Sequence, residues 1–217
     1  MDIKTILKRV DHTLLKPTSM WHEIAELCDD GIRFSVASVC IPPSFVARAK
    51  AHAKGRLKIC TVIGFPNGYS ATAVKMAETA EVIKDGADEI DMVINLCDAK
   101  DGRFDNIESE IRRIKDVCGE KILKVIVEAC LLTEYEKIKL CEIVTAAGAD
   151  FIKTSTGFST GGATITDVKL FRRYIGGEVR VKASGGIKTL AEAEEFIHAG
   201  ADRLGTSAIV GIVKSHE

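Results

Sequence analysis

The sequence predicts a single α/β domain, a (β/α)₈ TIM barrel that extends over residues 1–217. Three observations favour this fold. A turn of glycine, alanine and aspartate recurs at residues 86–88, 148–150 and 200–202, each time between a helix-like and a strand-like segment. About eight strand-like segments can be counted, which is the number that closes such a barrel. The length of 217 residues also lies within the range of about 200 to 250 residues that is usual for single α/β barrels.

The strands are predicted from short runs of β-branched and other apolar residues that are interrupted by turn residues. The first strand is stopped by Pro17, the fourth, sixth and eighth follow the recurring glycine turns, and the seventh ends at Gly185 and Gly186. In order along the chain, the predicted strands lie near residues 11–14, 36–41, 59–65, 89–94, 122–128, 151–155, 179–184 and 203–206.

Segments with helical spacing or composition lie between these strands. Thr133, Thr166 and Thr189 are predicted N-caps, since a threonine hydroxyl can accept a hydrogen bond from the first turn of a helix. No linker rich in proline, glycine or serine divides the chain, which favours one domain. The predicted helices lie at residues 20–29, 71–85, 106–117, 134–147, 167–174 and 190–198.

An open, doubly wound parallel sheet is the alternative to the barrel. Its usual ligand is a dinucleotide, which is bound by a G-x-G-x-x-G turn after the first strand. This chain has no such turn after its first strand, so the barrel is favoured.

Charge and composition exclude several classes of function. Thirty basic residues nearly balance 31 acidic ones, so there is no net field to attract nucleic acid or an anionic membrane, and the expected partners are small molecules or other subunits. Seven scattered cysteines without a Cys-x-x-Cys pair indicate a reduced, cytoplasmic protein. The five histidines lack the spacing of paired ligands, so no metal site is expected. No apolar run approaches the roughly 18 residues of a membrane span.

Two lysines occupy matching positions near the ends of consecutive predicted strands. Lys153 lies in the sixth strand just before a polar loop, and Lys182 lies in the seventh just before Gly185. If both point inward from paired strands, they lie about 5 Å apart, and their mutual repulsion disfavours the ammonium form of one or both. A neutral lysine amine attacks carbonyl groups and starts a Schiff base. The pair therefore predicts amine nucleophile chemistry.

An acidic residue also lies within an apolar strand. Asp91 shares one face of the fourth strand with Glu89, and a carboxylate there needs a partner. Lys124, on the fifth strand, is placed to pair with Asp91 or to help bind an anion, although a purely structural ion pair is an equal alternative for it. Cys40 either faces the barrel mouth or is a small buried apolar residue.

The loops after the seventh and eighth strands predict a phosphate site. They carry Gly185, Gly186 and Gly205, followed by Ser207, and phosphate commonly binds at these two loops in TIM barrels. Glycines allow backbone N–H groups to approach an anion closely. The alternative is that the glycines only form tight turns, but two such loops at the expected places favour phosphate.

With these residues in place, the chain resembles the deoxyribose-phosphate aldolases, a family of metal-free class I aldolases. The resemblance covers nearly the whole length and depends on several separate motifs in the family's order. They are DHTLLKP at residues 11–17, VCIPP at 39–43, VIGFP at 62–66, EIDMVIN at 89–95, KVIVE at 124–128, FIKTSTGF at 151–158 and VKASGGI at 181–187.

The resemblance implies a role for each candidate residue. Lys153 would form the Schiff base, Lys182 would favour its neutral form, and Asp91 would belong to the proton relay. The implied phosphate contacts are Gly157, Gly185, Gly186, Gly205 and Ser207, and the implied substrate pocket also includes Asp11, Thr13, Cys40, Lys124 and Thr156.

The implied reaction is the reversible cleavage of 2-deoxy-D-ribose 5-phosphate to D-glyceraldehyde 3-phosphate and acetaldehyde, in deoxyribonucleotide and deoxynucleoside catabolism. No cofactor is implied, the partners are phosphosugar and aldehyde substrates, and a homo-oligomer, either a dimer or a tetramer, is expected. Some family members end in a tyrosine that assists proton transfer. This chain ends Val213-Lys214-Ser215-His216-Glu217, so that step is not carried over.

Three other functions stay open from the sequence. Another Schiff-base barrel, of the transaldolase or keto-acid aldolase type, would share the lysine but use a different donor. A phosphosugar isomerase or epimerase would need a base but no imine. A regulatory barrel that binds phosphosugars without turnover is the third, and Lys153, Lys182 and Asp91 argue against it.

Overall fold

The structure, a computed structural model, describes residues 1–216. Within these residues, eight parallel strands form a closed barrel in sequence order, with the eighth strand returning to pair with the first. This confirms the predicted (β/α)₈ barrel. The strands are β1 Val10–Thr13, β2 Ser38–Ile41, β3 Ile59–Ile63, β4 Glu89–Val93, β5 Ile122–Ile126, β6 Phe151–Lys153, β7 Arg180–Ser184 and β8 Arg203–Thr206.

Helices cover the outside of the barrel. All six predicted helices are present, within a few residues of their predicted ends. Four shorter ones, at residues 3–7, 46–53, 96–100 and 209–214 of the described chain, were not predicted, because segments of five to eight residues hold too few turns to show a 3.6-residue period. The helices are α1 Ile3–Leu7, α2 Trp21–Arg33, α3 Val46–Ala53, α4 Thr72–Lys84, α5 Leu96–Lys100, α6 Phe104–Cys118, α7 Glu134–Ala146, α8 Ile165–Tyr174, α9 Leu190–His198 and α10 Ile209–Lys214.

Two of the three predicted N-caps are confirmed. Thr133 and Thr189 each begin a helix with a capping box, in which the carboxylate of a glutamate three residues later accepts a hydrogen bond from the backbone amide of the cap. The prediction of Thr166 is wrong. Thr164 caps α8 instead, because its backbone is extended and its hydroxyl accepts from the amide of Asp167, whereas Thr166 lies inside the first turn.

The strands are buried on both faces, but the two faces differ in chemistry. Their outward residues pack against the helices in one large apolar core that includes Val39, Ile90 and Ile152. Many of their inward residues are charged and are buried as well. Burial of charge is costly unless it is paired. The charged residues inside the barrel therefore indicate that the functional site lies there.

His12 points away from that interior and is only 6% exposed. Burial lowers its pKa from 6.5 to about 4. Between these two pH values, His12 binds a proton in the unfolded chain but not in the folded protein. The stability of the fold therefore decreases as the pH drops through this interval. We expect the free energy of unfolding to lose about 3 kcal/mol between pH 6.5 and pH 4 from this group.

Urea unfolding of His12→Leu across this interval tests the prediction, because the variant lacks the titrating group. Its pH dependence should be weaker than that of the wild type by about 3 kcal/mol. His198→Gln, which removes an exposed histidine of α9, is the matched control. Equal slopes for His12→Leu and the wild type would contradict the assignment.

Within the described residues, none of the helices has the length and apolar character needed to cross a membrane.

Candidate active site

Within residues 1–216, seven charged side chains meet inside the barrel. All are buried, and they come from β1, β4, β5, β6, β7 and β8, so closure of the barrel is what brings them together. We call this group the interior ion cluster. Its members are Asp11, Glu89, Asp91, Lys124, Lys153, Lys182 and Arg203.

Asp91 is at the centre of the cluster. Its Oδ2 accepts hydrogen bonds from the Nζ atoms of Lys153 at 2.8 Å and Lys182 at 2.7 Å. Its Oδ1 accepts from Nζ of Lys124 at 2.8 Å and from Sγ of Cys60 at 3.2 Å. The predicted pairing of Asp91 with Lys124 is confirmed, and Asp91 also joins the two lysines of the sixth and seventh strands.

The predicted juxtaposition of Lys153 and Lys182 is also confirmed. The two residues are register partners in the parallel pair of β6 and β7, and both amines reach the same carboxylate oxygen. Lys153 is the last residue of β6. Its amine therefore lies at the carboxyl ends of the strands, where active sites of TIM barrels are found.

A lower layer of the cluster was not predicted. Arg203 begins β8, is the register partner of Lys182, and makes ion pairs with Asp11 and Glu89. Lys124 Nζ lies 2.7 Å from Glu89, and Lys182 also contacts Asp11. The sequence signal for Glu89 was the strand face that it shares with Asp91. The signal for Arg203 was its position two residues before Gly205, which faces inward.

The charges in the cluster determine which groups stay ionised. Burial alone would lower the pKa of Lys182, but Asp11 and Asp91 raise it well above its ordinary value. Burial would likewise raise the pKa of Asp91, but Lys124, Lys153 and Lys182 hold it well below its usual range. Lys182 is therefore an ammonium beside Lys153, and Asp91 a carboxylate beside both.

A cavity of about 290 Å³ opens above the cluster. Lys153 is the member of the cluster that lines it. Of the other predicted site residues, Thr13, Thr156, Gly157, Gly185, Gly186, Gly205 and Ser207 also line it, whereas Asp11, Cys40, Asp91, Lys124 and Lys182 are buried outside its lining. The predicted residues thus divide into those that face the cavity and those that support Lys153.

The hydroxyls of the two predicted threonines are already engaged. Thr13 Oγ1 donates to the carbonyl of Asp11 at 2.7 Å. Thr156 Oγ1 donates to Glu128, and its amide donates to the same carboxylate at 3.2 Å. Glu128 has a left-handed backbone with φ of 54°, which turns its side chain toward the loop after β6. These bonds fix the shape of the cavity wall.

The Gly185-Gly186 turn requires glycine at both positions. The φ angles are 82° and 83°, in the left-handed region that residues with a Cβ rarely adopt. A Cβ on Gly185 would also lie 3.1 Å from the Cα of Gly162. The turn brings bare backbone to the cavity, which suits an anion better than a bulky group.

Several cavity residues were missed from the sequence, among them two lysines and a serine. Lys16 and Lys188 are exposed lysines in the loops after β1 and β7, and both line the cavity. Ser184 also lines it, with a buried hydroxyl that has no partner among the described residues. Lys16 lies within the DHTLLKP motif, but nothing in the spacing distinguishes it from a solvated surface lysine.

Metal binding is the other chemistry that this donor set could support. Cys40, Cys60 and Asp91 place one donor atom each within 4.8 Å of one another. However, Asp91 already accepts from three lysines, and Cys60 Sγ lies 3.2 Å from Nζ of Lys124. A cation would have to displace these ammonium groups, so the residues favour amine chemistry over a metal centre.

Comparison with known proteins agrees with the geometry. The family model for DeoC/LacD family aldolases matches residues 5–211. A deoxyribose-phosphate aldolase of Clostridioides difficile is 57% identical over 215 residues, covering 99% of this chain and 98% of its own.

Solved structures give the same result. A structure from Coccidioides immitis has a TM-score of 0.95 at 37% identity, covering 100% of this chain and 87% of its own. A tetrameric deoxyribose phosphate aldolase from Aeropyrum pernix has a TM-score of 0.89 at 29% identity, covering 99% and 92%. The chain therefore belongs to the DeoC/LacD aldolase family and is a carbon–carbon lyase.

Proposed function

We propose that this protein cleaves 2-deoxy-D-ribose 5-phosphate reversibly to D-glyceraldehyde 3-phosphate and acetaldehyde, through a Schiff base on Lys153. The observation that carries the proposal is the position of its amine. Lys153 lines the cavity, bonds to Asp91 and is the register partner of Lys182. An ammonium beside it disfavours a second positive charge, which leaves Lys153 as the nucleophile.

The first step is attack of neutral Lys153 on the aldehyde carbon of the open-chain sugar. The carbinolamine that forms loses water and becomes a protonated iminium. The carbinolamine hydroxyl needs a proton to leave as water, and the Lys182 ammonium is a proton donor within reach of Asp91 Oδ2. The iminium carries the positive charge that Lys153 itself did not carry.

The second step breaks the carbon–carbon bond. A base removes the proton of the C3 hydroxyl, the C2–C3 electrons move into the iminium, and D-glyceraldehyde 3-phosphate leaves an enamine on Lys153. Asp91 and Lys182 supply the base and the returning proton, through water where they do not reach the substrate. Protonation of the enamine at C2 and hydrolysis release acetaldehyde and restore the amine.

The phosphate of the substrate binds at the cavity end formed by the loops after β6, β7 and β8. Gly157, Gly185, Gly186, Gly205 and Ser207 are the proposed contacts, through backbone N–H groups and one hydroxyl. Lys16 and Lys188 border the same cavity and contribute positive charge to hold a dianion.

We expect Lys16→Ala/Lys188→Ala to weaken binding of the phosphorylated substrate without slowing its chemistry. Loss of a charge-assisted contact costs roughly 1.5–3 kcal/mol, so KM should rise at least about tenfold while kcat holds. Steady-state kinetics with 2-deoxyribose 5-phosphate and with unphosphorylated 2-deoxyribose test this. Lys169→Ala, on the exposed face of α8, is the matched control. A similar loss with both sugars would contradict the phosphate role.

Borohydride trapping with acetaldehyde tests the imine directly. The expected result is an ethyl adduct located on Lys153 by peptide mass spectrometry. A folded protein without an adduct would favour an isomerase or a phosphosugar-binding barrel. An adduct without cleavage of 2-deoxyribose 5-phosphate would favour a Schiff-base aldolase with a different donor.

The substrate for which the relatives are named, deoxyribose phosphate, supports a place in deoxyribonucleotide and deoxynucleoside catabolism, and the cysteine pattern supports a cytoplasmic location. The tetramer described for the Aeropyrum pernix protein supports a homo-oligomer here. Size-exclusion chromatography with light scattering tests that part of the proposal.

A further inference from the structure

The basic groups of the interior ion cluster outnumber its carboxylates by one. Four are basic and three are carboxylates: Lys124, Lys153, Lys182 and Arg203 against Asp11, Glu89 and Asp91. Uncompensated charge in a closed interior is costly. Loss of one proton from one base brings the cluster to zero net charge, so the cluster as a whole favours one neutral base.

Contacts decide which base is neutral. Arginine does not lose its proton in proteins. Lys124 lies within 2.8 Å of both Glu89 and Asp91, and Lys182 contacts both Asp11 and Asp91. Lys153 has a single ion pair in the described structure, with Asp91. It therefore has the least carboxylate support and gives up its proton first.

We propose that Glu89 and Arg203 are positioning residues, whose opposite charges below Asp91 set the charge balance that keeps Lys153 neutral. The inference rests on the proposed function, because it concerns the protonation of the proposed nucleophile. Neither residue forms an ion pair with Lys153 in the described structure. Glu89 is connected to Asp91 through Lys124, and Arg203 is connected to Lys182 through Asp11.

Other titratable groups face the same space and must be accounted for. Cys40 and Cys60 face the cluster from β2 and β3. Burial raises the pKa of Cys60, whereas the hydrogen bond from Cys60 lowers that of Cys40, so a Cys40 thiolate is the rival source of a fourth negative charge. At the carboxyl ends of the strands, Glu128 binds Thr156, and Lys16 and Lys188 border the cavity.

Charge-neutralising variants of the two residues make opposite predictions. Glu89→Gln leaves the cluster more positive, so Lys153 should lose its proton at lower pH. Arg203→Met leaves the cluster balanced with Lys153 protonated, so its proton should be lost at higher pH. The measurement is the initial rate of acetaldehyde adduct formation on Lys153 as a function of pH, with borohydride quenching and peptide mass spectrometry.

The acid limb of that profile should move by about one pH unit in each direction, as expected for one charge within about 10 Å at an effective dielectric constant near 20. Glu89→Asp and Arg203→Lys keep their charges and should keep the limb in place. The double variant Glu89→Gln/Arg203→Met should return the limb to the wild-type position. A purely structural role would lower the rate without these opposite shifts.

Each outcome decides one question. If wild-type Lys153 forms no adduct, the proposed function fails before any variant is made. If it forms one but folded variants leave the limb in place, or move it in the same direction, the charge-balance inference is wrong. If the acid limb moves to lower pH in Cys40→Ser, the balancing negative charge belongs to the Cys40 thiolate. That result would also overturn the charge-balance inference. If Arg203→Met does not fold, Glu89→Gln against Glu89→Asp still tests the inference.

Discussion

Lys153→Ala should abolish turnover of 2-deoxyribose 5-phosphate. The amine is the proposed covalent nucleophile, and neighbouring groups cannot replace it: Lys182 is held as an ammonium by Asp11 and Asp91, with its pKa raised. Removal of a nucleophile that acts in concert with its neighbours costs on the order of 10⁴-fold or more in kcat. Steady-state cleavage assays and borohydride trapping measure the loss, and both signals should disappear together.

The substitution should leave the barrel folded. It removes one of four basic groups from a cluster with three carboxylates, so the remaining charges balance. Lys153→Met is the second variant, because it keeps most of the side-chain volume and separates the loss of the amine from the loss of packing. Substantial cleavage by either folded variant would show that the mechanism is wrong.

The fold was predictable because its signals are local. The glycine turns at residues 86, 148 and 200 have positive φ angles of 101°, 74° and 112°, which glycine adopts readily, and each ends a helix and introduces β4, β6 or β8. The shortest helices left no such signal. Thr164 and Thr166 are both threonines near the start of α8, and only the backbone conformation shows that Thr164, not the predicted Thr166, is the cap.

The candidate site could be predicted where its charged residues interrupt otherwise apolar strands. Lys153, Lys182 and Asp91 each stand where a core residue is expected. Pairing of neighbouring strands predicted that Lys153 lies beside Lys182 and placed Lys124 where it could pair with Asp91, but it did not predict that Asp91 bonds to both Lys153 and Lys182. Arg203 was missed because an arginine at the start of a strand is usually solvated. Its partner Asp11 lies 192 residues away, and only closure of β8 onto β1 brings the two together.

Lys182→Met should cut turnover strongly near neutral pH and recover part of it at alkaline pH. Lys182 is the ammonium that lies beside Lys153 across the β6–β7 ladder. Without Lys182, the interior ion cluster contains three basic groups and three carboxylates. Lys153 therefore keeps its proton and is not nucleophilic. One unit charge about 5 Å away, the spacing of neighbouring strands, contributes about 3 kcal/mol at an effective dielectric constant near 20. A decrease of at least about 100-fold near neutral pH is therefore expected.

The pH profile separates this effect from a structural one or from the loss of a proton donor. If Lys182 acts through charge, the acid limb of adduct formation on Lys153 moves to higher pH in Lys182→Met, and the rate at the alkaline plateau approaches that of the wild type. If Lys182 acts only as an acid in the chemical step, adduct formation keeps its limb while cleavage falls at every pH. A loss of both rates at every pH, together with a lower unfolding temperature, would mean that Lys182 mainly supports the fold through Asp11 and Asp91.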